Sequence, residues 1–193
     1  MFYTLIEALA ALICLITACI LLHRFRFHSR KDSLLYSLFA IYLAAVYHLT
    51  GLPTVLFITF DVNVNLVPTE LFRKELVLSL LNIAMFVPLG FFLPLLWEKY
   101  RSMKNTMLFG LAATVAIELA QLLTYRATDI NDVITNSIGC WLGYVLFRIL
   151  SPGLQIFLPP ETESSDLWWI LLLTGSEMFF LQPLIASLLY SLL

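Results

Sequence analysis

The sequence predicts an all-α fold, a polytopic transmembrane bundle of about six helices, and three observations lead there. Of 193 residues, 61% are hydrophobic and 12% charged, against about 45–50% apolar and about 25% charged in soluble domains, so a water-soluble fold would lack the polar surface to cover itself. The apolar residues come in blocks of roughly 20, the number that crosses a hydrocarbon core about 30 Å thick at about 1.5 Å per residue. The few basic residues sit between the blocks; with a net charge of −2 they read as topology signals and give no argument for nucleic acid.

Taken in order, the expected spans are Phe2–Leu22, Leu34–Phe60, Leu76–Trp97, Thr106–Thr124, Val133–Leu150 and Leu167–Leu193. The first has no basic segment before it and is long for the apolar part of a signal peptide, so it reads as a retained helix. The second and the last are long enough to be tilted, broken or partly interfacial, and the last, with Glu177, Gln182 and Pro183, is open to being one helix or two. Arg24, Arg26, Arg30 and Lys31 follow the first span, and Lys99, Arg101 and Lys104 follow the third. The positive-inside rule makes both loops cytoplasmic, which places the N-terminus outside a cell membrane that the chain crosses several times. Asp61–Glu75 and the Tyr125–Asp132 turn then fall on the outer face. Pro152–Asp166 should be cytoplasmic, yet it carries Glu161, Glu163 and Asp166 and no Lys or Arg; acidic residues weigh little in the rule. Cys14, Cys19 and Cys140 lie inside apolar blocks without CxxC spacing, so no disulfide, cofactor or metal site is expected.

Polar groups inside spans carry the functional reading, because a charge at the bilayer centre costs about 2.5–3.5 kcal/mol on insertion scales. Glu118, within Val115–Ala120 of the fourth span, is the clearest such group. Gln121 and Tyr125 follow at helical spacing, so all three are expected on one face, turned into the bundle. The turn to the fifth span is short, which makes the two helices antiparallel neighbours. Asp129, Asp132 and Asn136 form a stripe entering the fifth span, with Asp129 or Thr128 as N-cap. The stripe would face Glu118, Gln121 and Arg126 and line an outward-facing polar cavity. The third span adds Asn82 and, within Phe86–Pro94, Pro88, Gly90 and Pro94, which free backbone carbonyls and permit a kink. Asn65-Leu66-Val67-Pro68 reads as an extended or re-entrant segment on the same outer face. Gly139 and Gly143 form a GxxxG pair suited to close helix approach. The plainer alternatives are interhelical hydrogen bonding for Asn82, Gln121 and Asn136, capping for Asp129, and interface anchoring or pairing with Asp129 for Arg126. His48, Glu7 and Glu177 demand no function.

The ordered combination of Asn65-Leu66-Val67-Pro68, Asn82 through Phe91, Glu118-Leu119-Ala120-Gln121, Arg126 through Asp129, then Asp132, Asn136, Gly139 and Gly143, resembles the VanZ-like family of membrane proteins over roughly Asn65 to Leu150. That resemblance suggests three regions: two N-terminal helices in 1–64, a VanZ-like core of three helices in 65–150, and a linker with a C-terminal membrane segment in 151–193. It implies low-level protection against teicoplanin, and it carries over to Asn82, Pro88, Gly90, Glu118, Gln121, Arg126, Asp129, Asp132, Asn136 and Gly139.

The first functional expectation is a non-enzymatic envelope protein that binds an amphiphile or lipid-linked glycan at the outer leaflet. Its partners would be membrane lipid and a lipid-linked envelope precursor or lipoglycopeptide, with a homo-oligomer also open. The alternative is an intramembrane enzyme on a lipid-linked substrate, with Glu118, Asp129 and Asp132 as acid, base or cation ligands. Against it, the sequence has no Ser–His or Cys–His pairing, no HExxH and no phosphate-cradling glycine loop. A proton-coupled transporter using Glu118 is third; it would gain size from a dimer through Gly139 and Gly143.

Overall fold

A computed structural model describes residues 2–25, 30–60, 63–65, 76–154 and 164–192. Arg26, Asp61, Leu66–Glu75, Pro159–Pro160, Glu161 and Glu163 lie outside the described residues, as do the expectations placed on them. The chain divides into two compact units, one of residues 1–58 with 163–193 and one of residues 59–162.

The first unit contains α1 (Phe2–Phe25), α2 (Arg30–Leu49), and a C-terminal helical run of α6 (Ser164–Ser176), a π-helical segment (Glu177–Leu181) and α7 (Gln182–Ser191). α1 buries Ile6, Ala10, Cys14 and Ala18, a stripe at four-residue spacing whose small side chains let neighbours approach. Leu9, Leu12, Ile16 and Ile20 point outward. Burying small residues while exposing Leu and Ile is a sensible distribution in lipid and a poor one in water.

The second expected span ran to Phe60, but α2 stops at Leu49. Gly51, at φ 62°, supplies the left-handed residue of a Schellman ending, in which Leu52 N–H bonds to Tyr47 O and Gly51 N–H to His48 O. Pro53 follows and cannot resume the helix. The apolar run beyond it makes a tight turn at Val55 and Leu56, with Thr54 and Phe57 bridged across it and each N–H bonded to the other's carbonyl.

The last apolar segment stays helical from α6 through α7, with a π turn where a break was an open alternative. Pro183 has no N–H to offer Phe179 O, four residues back. Val55 N–H takes that carbonyl at 2.9 Å, so the turn supplies the hydrogen bond the proline cannot.

The second unit is built on α3 (Leu76–Leu96), a 3-10 turn (Glu98–Arg101), α4 (Met103–Gln121) and α5 (Ile130–Leu150). α3 continues through Pro88 and Pro94. α5 packs chiefly against α3, and Gly139, Gly143 and Gly90 explain how closely. A Cβ at Gly139 would overlap Ile83 O, one at Gly143 would overlap Val87 O, and one at Gly90 would overlap Cys140 O. The GxxxG pair is therefore spent on α3 of the same chain, and a dimer built through it would have to displace that helix. Two short strands, β1 (Val64–Asn65) and β2 (Thr128–Asp129), pair in parallel, Val64 opposite Thr128 and Asn65 opposite Asp129. Among the described residues, three helices are long and apolar enough to cross a membrane: Leu76–Leu96, Ile130–Leu150 and Ser165–Ser191.

Candidate functional site

The sequence-derived polar residues collect where α4 turns into α5. α4 ends at Gln121, so Glu118 belongs to its last turn instead of lying deep within the span. It is nevertheless buried, at 4% exposure. Two donors from the turn reach it: Asp129 N–H bonds to Glu118 Oε2 at 2.9 Å, and Thr128 Oγ1 donates to the Glu118 carbonyl at 2.9 Å. The carboxylate thus holds the start of α5 against the end of α4.

Asp129 is the N-cap of α5. Its backbone is extended (φ −126°, ψ 127°), and Oδ1 accepts from Asn131 N–H at 2.8 Å, satisfying one of the free donors of the first turn. Its second oxygen accepts from Asn65 Nδ2 at 3.1 Å, so the β1–β2 pairing and the cap share one side chain. Asp132, in the first turn of α5, accepts at Oδ1 from Asn82 Nδ2 at 2.8 Å. One acidic residue therefore ties α5 to β1, and a second ties it to α3. Both also lie near the positive end of the helix dipole.

Asn136 lies one turn further in, where Asn136 Nδ2 donates to Thr114 Oγ1 at 2.9 Å. Gln121 is buried beside Glu118 on the α4 face. Two expected members stand elsewhere. Tyr125 is 70% exposed because the helix that would have turned it inward has already ended. Arg126 is exposed, and its guanidinium pairs with no described residue. Its backbone N–H is tied to Thr124 Oγ1.

Sequence reasoning missed Thr114, Asn131 and Thr135. Thr114 is four residues before Glu118 and so on its face, a spacing that could have found it. Asn131 and Thr135 are also four apart, joined by Thr135 Oγ1 to Asn131 O at 2.9 Å. The Oδ1 atoms of Asn131 and Asn136 are buried without a hydrogen-bond partner among the described residues. Such atoms call for a donor from water or a ligand.

The arrangement is rich in acceptors. Glu118 and Asp129 accept hydrogen bonds from backbone N–H groups, and Asp129 and Asp132 each accept one from an Asn amide. Groups with hydroxyl or amine donors would complete it. The three acids do not converge as a ligand set, since no group of three or more His, Cys, Asp or Glu is placed to hold a metal ion among the described residues.

The VanZ/LLP1 family matches over residues 9–151, more than half of the chain and well N-terminal of Asn65. No curated protein and no solved structure matches. The chain belongs to the VanZ/LLP1 family, and that membership together with its three long apolar helices makes it a membrane protein.

Proposed function

We propose that this VanZ/LLP1 protein is a multi-pass protein of the cell membrane with its N-terminus outside, and that the acceptor-rich end of the α3–α4–α5 unit binds an amphiphile or lipid-linked glycan at the outer leaflet. The consequence is lowered sensitivity to teicoplanin-type lipoglycopeptides, without catalysis. The observation that carries the reading is the pair of buried amide oxygens, on Asn131 and Asn136, that find no hydrogen-bond partner among the described residues, beside the carboxylates of Glu118, Asp129 and Asp132. Glycan hydroxyls and amines are donors suited to those oxygens. Lys99, Arg101 and Lys104 lie at the opposite end of α4, which supports an outward site by the positive-inside rule. An acyl tail would hold a lipoglycopeptide or lipid-linked glycan at the membrane surface where the shell would meet its sugars.

The test expresses the wild type and Glu118→Gln, Asp129→Asn and Asp132→Asn at matched membrane levels in a susceptible Gram-positive host, with teicoplanin and vancomycin susceptibility as readouts. Selective protection against teicoplanin by the wild type, lost in the variants, is the expected result. Equal protection by all four would reduce these carboxylates to structural roles. No protection by the wild type would refute the resistance function, and absence of saturable binding to purified protein would refute the ligand.

A further inference from the structure

We infer that the first unit holds a second site, a two-chambered cavity for a single-chain amphiphile with an ammonium head. The inner chamber, about 490 Å³, lies between α1 and α2 and is walled by Ala11, Leu12, Leu15, Ile41, Ala44 and Met178. A neighbouring chamber of about 360 Å³ extends along α7 past Pro183 and Ser187 to Tyr190. Both fall in the range of about 300–1,000 Å³ usual for small-ligand sites. Four polar residues, Glu7, His48, Thr54 and Gln182, border both chambers.

Polarity is graded along the cavity. Glu7 and His48 sit at the end where α1 begins and α2 finishes, whereas Leu15 and Ile41 sit further along the same two helices. From Glu7 to Leu15 the wall runs about 12 Å at helical rise, the dimension of a tail pocket. Alanines at 8, 11, 44 and 45 on facing helices leave the space. The turn roofing it is fixed by the bond from Val55 N–H to Phe179 O, so the cavity is built into the fold.

The head chemistry follows from charge. Among the described residues, Glu7 is the only acid lining either chamber, and no Lys or Arg lines them. The side chains of Glu7, His48 and Gln182 make no hydrogen bond to another described residue, which leaves their polar ends for a ligand. An ammonium head meets a carboxylate there, while an anionic head meets repulsion. The site belongs to the first unit and stands independently of the acceptor-rich end of the second.

Full-length protein in phosphatidylcholine nanodiscs is photolabelled with an alkylamine carrying a diazirine in its tail, and with the tail-matched alkyl sulfate and alkanol, followed by mass-spectrometric mapping. The alkylamine is expected to label the α1 and α2 peptides saturably, with about tenfold preference over the other heads. Glu7→Gln removes the preference among heads, and Ala45→Trp, which fills the inner chamber from an exposed position, lowers labelling by all three. Asp132→Asn leaves the labelling as in wild type, which separates this site from the one proposed above. Equal labelling by the three heads in wild type, or labelling indifferent to Ala45→Trp, overturns the proposal and leaves a groove filled by bulk lipid.

Discussion

Asn82 Nδ2 on α3 donates to Asp132 Oδ1 on α5 at 2.8 Å, one residue along α3 from Ile83, whose carbonyl lies against Gly139. The polar tie and one of the close backbone approaches of the two helices are therefore neighbours. A hydrogen bond between half-buried partners in a membrane bundle contributes about 0.6 kcal/mol on average and about 1.7 at most. A double-mutant cycle of Asn82→Ala and Asp132→Ala, read by reversible unfolding in detergent, should return a coupling of about 0.5–2 kcal/mol. Additive losses would mean the two residues act separately.

Glu118 holds the backbone N–H of Asp129, and a carbonyl oxygen can do that as well as a carboxylate. Glu118→Gln should therefore unfold close to wild type, while Glu118→Ala orphans the half-buried N–H of Asp129 and should cost about 1–3 kcal/mol. The pair separates structure from function. If the acid's charge matters to ligand binding, Glu118→Gln loses binding at almost unchanged melting temperature, measured on the same preparations.

Glycines in this chain are not equivalent. Gly139→Ala and Gly143→Ala drive a methyl into the backbone carbonyls of Ile83 and Val87, which cannot rotate aside as a side chain would. Each should cost about 1–3 kcal/mol or prevent α3 and α5 from docking. Gly175→Ala meets nothing within 4 Å inside a helix, so it should be neutral or stabilising by up to about 1 kcal/mol. Thermal unfolding of the three variants side by side decides it, and equal losses would refute the close-approach account.

The residues that could be read from sequence were those whose physics is local. Apolar block length located the helices, and Asp129 could be placed as a cap from its position before an apolar run. The end of α2 was also written locally, in Gly51 and Pro53, but the apolar residues from Val55 to Phe60 hid it. Hydropathy scores an apolar turn and a helix alike. What escaped was pairing. Nothing in the sequence says that Asn82 meets Asp132 or that Asn136 chooses Thr114, because these depend on how α3 and α4 are set against α5. Arg126 illustrates the converse: sequence proximity to the acids suggested a partner, but the turn carries it to the surface. The Val55–Phe179 bond is likewise invisible, although Pro183 advertises that some donor is needed four residues back.

Outside the spans, Tyr100 gives a pH prediction with a definite sign. Its ring is 5% exposed, set edge-on to Phe109 at 5.4 Å, and burial pushes its phenol above the ordinary value. Below the unfolded value of about 10, both states keep the proton and Tyr100 contributes no pH dependence. Above it, the unfolded chain ionises first, so the unfolded state binds fewer protons and folded stability falls as pH rises. The slope for one proton approaches about 1.4 kcal/mol per pH unit until the folded phenol also ionises. Tyr100→Phe removes this term, because phenylalanine preserves the packing on Phe109 and has nothing to ionise. Unfolding free energies of wild type and Tyr100→Phe should run parallel from neutral pH to about 10 and then diverge, with the variant losing less. Curves that stay parallel to higher pH would show that the phenol reaches solvent in the folded protein.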